Sequence, residues 1–259
     1  MNKKVNIIVD STADITEDVK ERLTVVPLTL RFGDEEYIEG VTIQKKEFYQ
    51  KLIESDVLPK TSQAVPADFS DIFEKIAAAG ESAVVITLSS KLSGTWQSAM
   101  IAAREYEDSV YVVDSRNVAI GTAILAKLAL RLVDEGMGAR EIAERLEKER
   151  EKICLIAMLD TLEYLKKGGR ISAAAAFAGG VLSIKPVVCI RDGEIVILGK
   201  ARGSKQGNNL LVSEIRKTGG IDFTKPILLG YTGLDDTLLQ KYRTVRHSGK
   251  KVFPHWRQP

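Results

Sequence analysis

The sequence predicts an α/β fold: an N-terminal doubly wound parallel-sheet domain with a small insertion, followed by a C-terminal α+β domain. From Val5 to Glu135, short Val- and Ile-rich runs alternate with segments of helical period, the pattern of strands that cross over through helices into a parallel sheet. Residues 30–62 interrupt that rhythm with polar, turn-rich pieces. Further on, Asp192-Gly193 sits between two apolar runs, which signals an antiparallel hairpin.

Taken in order, VNIIVD is the first strand, and a helix over Ile15 to Leu23 follows, with Ser11 or Thr12 as its N-cap. TVVPLTLRF reads as the second strand. The insertion holds a short helix, Lys45 to Glu54. Next come a helix from Pro66 to Ala79, the strand SAVVITLSS, a helix from Thr95 to Tyr106 and the strand VYVVDS. A helix from Ile120 to Glu135 ends at Gly136 and Gly138. Beyond residue 150 the order is strand (ICLIAML), a helix around Thr161 to Lys167, a helix from Ala173 to Leu182, the hairpin IKPVVCIRDGEIVILGKAR, a helix and the strand KPILLGYT. These readings place one domain at 1–150 and a second at 151–259.

At 259 residues and 44% hydrophobic content, the chain is long enough for two cores. Its 37 basic and 35 acidic side chains leave a net charge of +2, with no broad footprint for nucleic acid or a membrane surface. The apolar run at the N-terminus is too short for a signal sequence, and no stretch approaches the roughly 18 apolar residues of a membrane span. A soluble, cytoplasmic protein is expected. Cys154 and Cys189 stand singly in apolar runs and read as buried small hydrophobes. The two histidines, His247 and His255, are both near the C-terminus, and no Cys/His cluster points to a metal.

In doubly wound sheets ligands sit at the carboxyl ends of the strands, and three such ends here carry hydroxyls. Asp10-Ser11-Thr12 closes the first strand, Leu88 to Thr95 the third, and Asp114-Ser115-Arg116 the fourth. The turn Ser93-Gly94-Thr95 has two readings: simple capping of the next helix, or an anion site built from hydroxyls, backbone N–H groups and the positive helix end. Lys60-Thr61-Ser62-Gln63 divides the same way, as a turn or as part of a site. The nucleophile elbow G-x-S-x-G is absent, as are the phosphate-binding G-x-x-x-x-G-K-[ST] and a dinucleotide fingerprint. Arg170, after Lys166-Lys167-Gly168-Gly169, and Arg202, in GKARGSKQG, are either plain surface charges or a basic docking surface.

Six segments in register carry a resemblance: VDSTADI at 9–15, PKTSQ at 59–63, LSSKLSGTWQSA at 88–99, VVDS at 112–115, LEYLKKGGRIS at 162–172 and LSIKPV at 182–187. Together they resemble the DegV family from residue 1 to about 242. The resemblance implies a carrier that holds a long-chain fatty acid between two domains and serves as the acyl-carrying component of bacterial fatty acid kinase. It implies that Thr61 and Ser93 hold the carboxylate, supported by Ser62, Gly94, Thr95, Asp10 and Ser11. It places Arg170 and Arg202 on the side that meets the kinase, which binds ATP and magnesium itself. No cofactor beyond the bound fatty acid is expected. Two other readings stand beside it: an enzyme (a serine-dependent acyl hydrolase or an ATP-using phosphotransferase), or a binding module for another small carboxylate. Residues 243–259 lack the glycine-rich, histidine-containing close usual in the family, and a frameshift or truncation is the expected cause. Trp96 replaces a more usual tyrosine, and Ala64 a common proline.

Overall fold

A computed structural model of the chain describes residues 3–172, 184–237 and 239–240. Its centre is a four-stranded parallel sheet of β1 (Val5–Asp10), β2 (Leu23–Val26), β6 (Ser82–Thr87) and β7 (Val110–Asp114), in the order β2-β1-β6-β7. After β2 the chain returns to the opposite side of β1, so the order reverses between β1 and β6. Ligands bind at such switch points in open α/β sheets.

Alternation along the strands decides what covers each face. Ile7 and Val9 of β1, with Val84 and Ile86 of β6, pack under α4 (Ile120–Asp134) and α5 (Ala139–Glu149). Ile8, Ala83 and Val85 point the other way, onto Phe69 and Phe73 of α2 (Pro66–Ala78) and Ala99 and Ala102 of α3 (Thr95–Ala103). Because both faces are covered, β6 is buried along its whole length and reads as an unbroken apolar run.

Residues 29–62 form a separate antiparallel sheet of β3 (Thr29–Phe32), β4 (Glu35–Ile38) and β5 (Lys60–Ser62), in the order β4-β3-β5. Leu30, Phe32 and Ile43 make its small core with Phe48 and Leu52 of α1 (Lys45–Glu54). A third sheet holds β8 (Ile156–Met158), β9 (Ile184–Arg191) and β10 (Glu194–Arg202), all antiparallel, in the order β10-β9-β8. The β9–β10 turn places Asp192 and Gly193 at φ 51° and 82°, the two positive values that a type I′ hairpin turn demands. Helices α6 (Glu163–Lys167) and α7 (Gly203–Lys217) complete this part.

The structure corrects several sequence expectations. No α-helix forms over Ile15 to Leu23; a single 3-10 turn, Lys20–Arg22, precedes β2. Leu23 is already in β2, and the remaining segment is too short to nucleate a helix alone, so Ile15 and Val19 simply anchor it on the core. TVVPLTLRF is two strands in two sheets, divided at Pro27, whose ring nitrogen has no N–H for a ladder. Residues 139–149, to which the alternation assigns no element, form α5. KPILLGYT forms no ladder among the described residues, and Leu229 and Tyr231 are exposed. Cys189 is buried as expected, whereas Cys154 is exposed, because it precedes β8 instead of lying within it. The helix expected at Ala173 to Leu182 and the tail 243–259 lie outside the described residues.

Candidate functional site

The carboxyl ends of β1, β6 and β7 converge on the segment Leu88 to Thr95, and the backbone of that segment is held from several directions. The Asp10 side chain is fully buried; its Oδ2 accepts the Leu88 N–H at 2.6 Å, and its Oδ1 accepts both the Thr12 N–H at 3.0 Å and the Thr12 hydroxyl at 2.5 Å. Burial pushes the Asp10 carboxyl above its ordinary 3.8, and the same three hydrogen bonds pull against that shift. From β7, Asp114 accepts the Ser90 N–H at 3.2 Å and the Ser90 hydroxyl at 2.5 Å. The Asn117 carbonyl accepts the Ser89 N–H at 2.8 Å.

Two further bonds reach this segment from the C-terminal half of the sequence. The buried Ser89 hydroxyl donates to the Gly193 carbonyl at 2.7 Å. Gly193 has to be glycine twice over, since its φ is positive and a Cβ there would lie 2.5 Å from Ser89 Oγ. Arg170 Nε donates to the Leu92 carbonyl at 3.2 Å, and its Nη1 donates to the Gly168 carbonyl.

At the tip, the Ser93 and Thr95 hydroxyls lie 3.0 Å apart, and Ser93 Oγ accepts the Thr95 N–H at 3.3 Å. Ser93 is partly exposed and Thr95 is buried, so Ser93 is the hydroxyl open to a ligand at the head of α3. Gly94 lies flat against Gln63: a Cβ on Gly94 would fall 2.0 Å from Gln63 Oε1. The Gln63 amide donates to Ser98 Oγ of α3 at 3.1 Å, which ties the end of β5 to this helix. Thr61 and Ser62 stand just before Gln63, both exposed, with Thr61 opposite Leu30 in the β3–β5 pairing. The structure thus brings the Lys60–Gln63 stretch alongside the Ser93-Gly94-Thr95 turn.

Ser11 belongs to a neighbouring network. Its hydroxyl donates to Glu39 Oε2 at 2.6 Å and accepts the Leu28 N–H at 2.9 Å, so it fastens the parallel sheet to the β3–β5 sheet. Burial pushes Glu39 above its ordinary 4.5; the Ser11 hydroxyl and Lys45 oppose the shift, while Asp10 and Asp14 add to it. Neither Ser11 nor Thr12 caps a helix. Arg202 is exposed at the start of α7, where its backbone N–H donates to Gln206 Oε1 at 3.2 Å, and no bond among the described residues joins it to the Leu88–Thr95 segment. Sequence reasoning missed Glu39 and Asn117 as members of this region and did not single out Ser89 or Gln63 within the stretches that hold them. Ser89 was hidden among four hydroxyls in eight residues, and only the neighbouring sheets show which of them turns inward.

Fold and site together define a class: a doubly wound α/β protein whose switch point offers hydroxyls and a helix N-terminus, with a second, antiparallel sheet closing on it. The family model described as "Uncharacterised protein, DegV family" matches residues 4–257, and the chain belongs to the DegV family. A DegV domain-containing protein of Caldanaerobacter subterraneus subsp. tengcongensis is 37% identical over 227 residues, spanning 86% of this chain and 80% of that one. Among solved structures, a DegV family protein from Thermus thermophilus described as fatty acid binding superposes with a TM-score of 0.81 at 29% identity, over 96% of this chain and 89% of its own. A stearic acid-binding protein from Eubacterium ventriosum gives 0.75 at 29% identity, covering 84% and 76%. The fatty acid kinase B3 protein of Streptococcus pneumoniae, loaded with linoleic acid, gives 0.74 at 26% identity, covering 83% and 79%.

Proposed function

We propose that this chain binds a long-chain fatty acid and presents its carboxylate to a partner kinase that makes the acyl-phosphate. In this reading residues 1–150 and 151–259 are two domains, with 30–62 inserted in the first, and the acyl chain lies between them. Ser93 and Thr61 hold the carboxylate, with Ser62, Gly94, Thr95, Asp10 and Ser11 shaping the surroundings. The observation that carries the proposal is the partly exposed Ser93 hydroxyl at the head of α3, on a turn fastened at Leu88, Ser89, Ser90 and Leu92. The linoleic acid-loaded kinase B3 protein among the structural relatives supports the kinase as partner.

Magnitudes assign separate tasks to the two ends of the ligand. A 16-carbon tail buries roughly fifteen carbons at about 0.8 kcal/mol each, near 12 kcal/mol before the cost of association. Head-group hydrogen bonds, at about 1 to 3 kcal/mol apiece, are too few to match that sum, so they fix which end emerges. Hydroxyls suit this role better than a lysine, since they leave the carboxylate oxygen nucleophilic towards a phosphate brought by the kinase. Arg170 and Arg202, both exposed, form the basic surface that meets the kinase.

Mass spectrometry of an organic extract of the purified protein is the test, with a co-purifying long-chain fatty acid expected in near-stoichiometric amount. Ser93→Ala and Thr61→Ala are expected to retain severalfold less of it while keeping the wild-type far-UV circular dichroism. Turnover of esters or consumption of ATP by the isolated chain, with no lipid extracted, would overturn the carrier reading in favour of an enzyme.

A further inference from the structure

We infer that Arg170 is a positioning residue for the Ser93 turn, so that the surface meeting the partner and the seat of the ligand's head are one mechanical unit. The inference deepens the proposed fatty-acid binding and rests on it.

The geometry is specific. Leu92 directly precedes Ser93, and its carbonyl accepts the Arg170 Nε–H at 3.2 Å across 78 residues of sequence. The guanidinium is anchored on its own side as well, since Nη1 donates to the Gly168 carbonyl within the turn that carries it. That turn is stiff: Gly169 takes φ 74°, and the N–H groups of Arg170 and Ile171 both return to the Leu165 carbonyl, at 2.8 and 3.3 Å. Ile171 beneath it is buried with Leu162 and Val188, which roots the turn in the core under β9. A rigid turn therefore holds one planar group against the peptide beside Ser93.

The other fastenings of the segment act elsewhere. Asp10, Asn117 and Asp114 hold residues 88–90, and the Ser89 hydroxyl reaches Gly193. Within residues 91–93, the Leu92 and Ser93 N–H groups return to the Ser89 carbonyl, a bond internal to the segment. Arg170 is thus, among the described residues, the outside side chain that hydrogen-bonds the backbone just before Ser93, while Gln63 packs against Gly94 on the other side of it. Arg170 is also exposed, so an acidic or phosphate-bearing partner that takes up the guanidinium competes with, or reinforces, its grip on Leu92. Any such coupling runs both ways: a head group that settles the turn changes the affinity for the partner by the same factor.

The test needs no kinase. Delipidated wild type, Arg170→Ala, Arg170→Lys and Lys167→Ala are compared for palmitate and for hexadecanol by displacement of an anthroyloxy-labelled palmitate. The two ligands share a tail and differ in the head group. Arg170→Ala is expected to lower the preference for palmitate over hexadecanol about fivefold, the loss of one ordinary hydrogen bond's worth of positioning. Arg170→Lys, which keeps a donor but not the planar fork, is expected to fall between it and wild type. Lys167→Ala, which removes only a surface pair with Glu163, should match wild type. Equal weakening of both ligands means general damage and overturns the inference, as does an unchanged preference in both Arg170 variants. A wild-type protein that binds neither ligand sinks the fatty-acid reading itself, which is a separate result.

Discussion

Glu39 and Asp10 are carboxyl groups that the fold draws out of water, Glu39 to fasten one sheet to its neighbour through Ser11 and Asp10 to hold together the ends of β1 and β6, and each is raised above its ordinary value chiefly by burial. For such a group the folded state keeps its proton to higher pH than the unfolded chain does. Its contribution to stability is complete below the unfolded value and is lost as pH rises through the folded one. Glu39→Gln keeps an acceptor for the Ser11 hydroxyl and removes the titration. Urea midpoints should show the variant gaining on wild type as pH rises from about 4.5, with the two converging in acid; parallel curves would mean that Glu39 is not raised. Residues of this kind define what sequence reading reaches. Asp10 and Ser93 were legible because both lie at or just beyond strand ends where a doubly wound sheet gathers its loops. The partners were not, because Ser11 meets Glu39 across 28 residues and Gln63 meets Ser98 across 35.

At the scale of elements, α5 shows burial acting on a plain helical period. Ala139, Ile142, Ala143 and Leu146 recur at three and four residues, and all four are buried, with Ile142 and Leu146 at 0% exposure. Leu146→Ala leaves a cavity beneath the parallel sheet and is expected to cost about 2 to 5 kcal/mol in urea unfolding, whereas Arg145→Ala on the outer face should cost under about 0.5. A Leu146 variant as stable as the Arg145 variant would show that α5 does not hold the sheet. The strands β1, β6 and β7 and the helices α1 to α4 were readable, since buried parallel strands and their crossovers carry strong periodic signals. Elements whose state depends on a neighbour were not. The run TVVPLTLRF is apolar throughout, and only the two different partners of β2 and β3 show that Pro27 divides it. Residues 226–232 are just as apolar, yet Gly230 rests on Ile120 at the head of α4 rather than in a ladder.

The whole molecule consists of a doubly wound sheet and an antiparallel one that meet at the candidate site, with the β3–β5 sheet fastened alongside. In the proposed function the ligand binds only when both are formed, so it stabilises the folded protein by mass action. Saturation at a hundredfold excess over the dissociation constant adds about 2.7 kcal/mol, and delipidated protein should melt several degrees lower until palmitate is restored. A melting temperature insensitive to palmitate would contradict a site that spans the two sheets. One bond has a consequence in time as well as in space. Ser89 and Gly193 are 104 residues apart, and a ribosome adding about 5 to 20 residues per second delivers the glycine roughly 5 to 20 seconds after the serine. Late in that interval the emerging chain holds all four strands of its first sheet and the hydroxyl turn but still lacks the hairpin that closes on them. In the proposed function, loading therefore waits for the finished polypeptide, because a nascent chain without the hairpin has no closed seat for lipid.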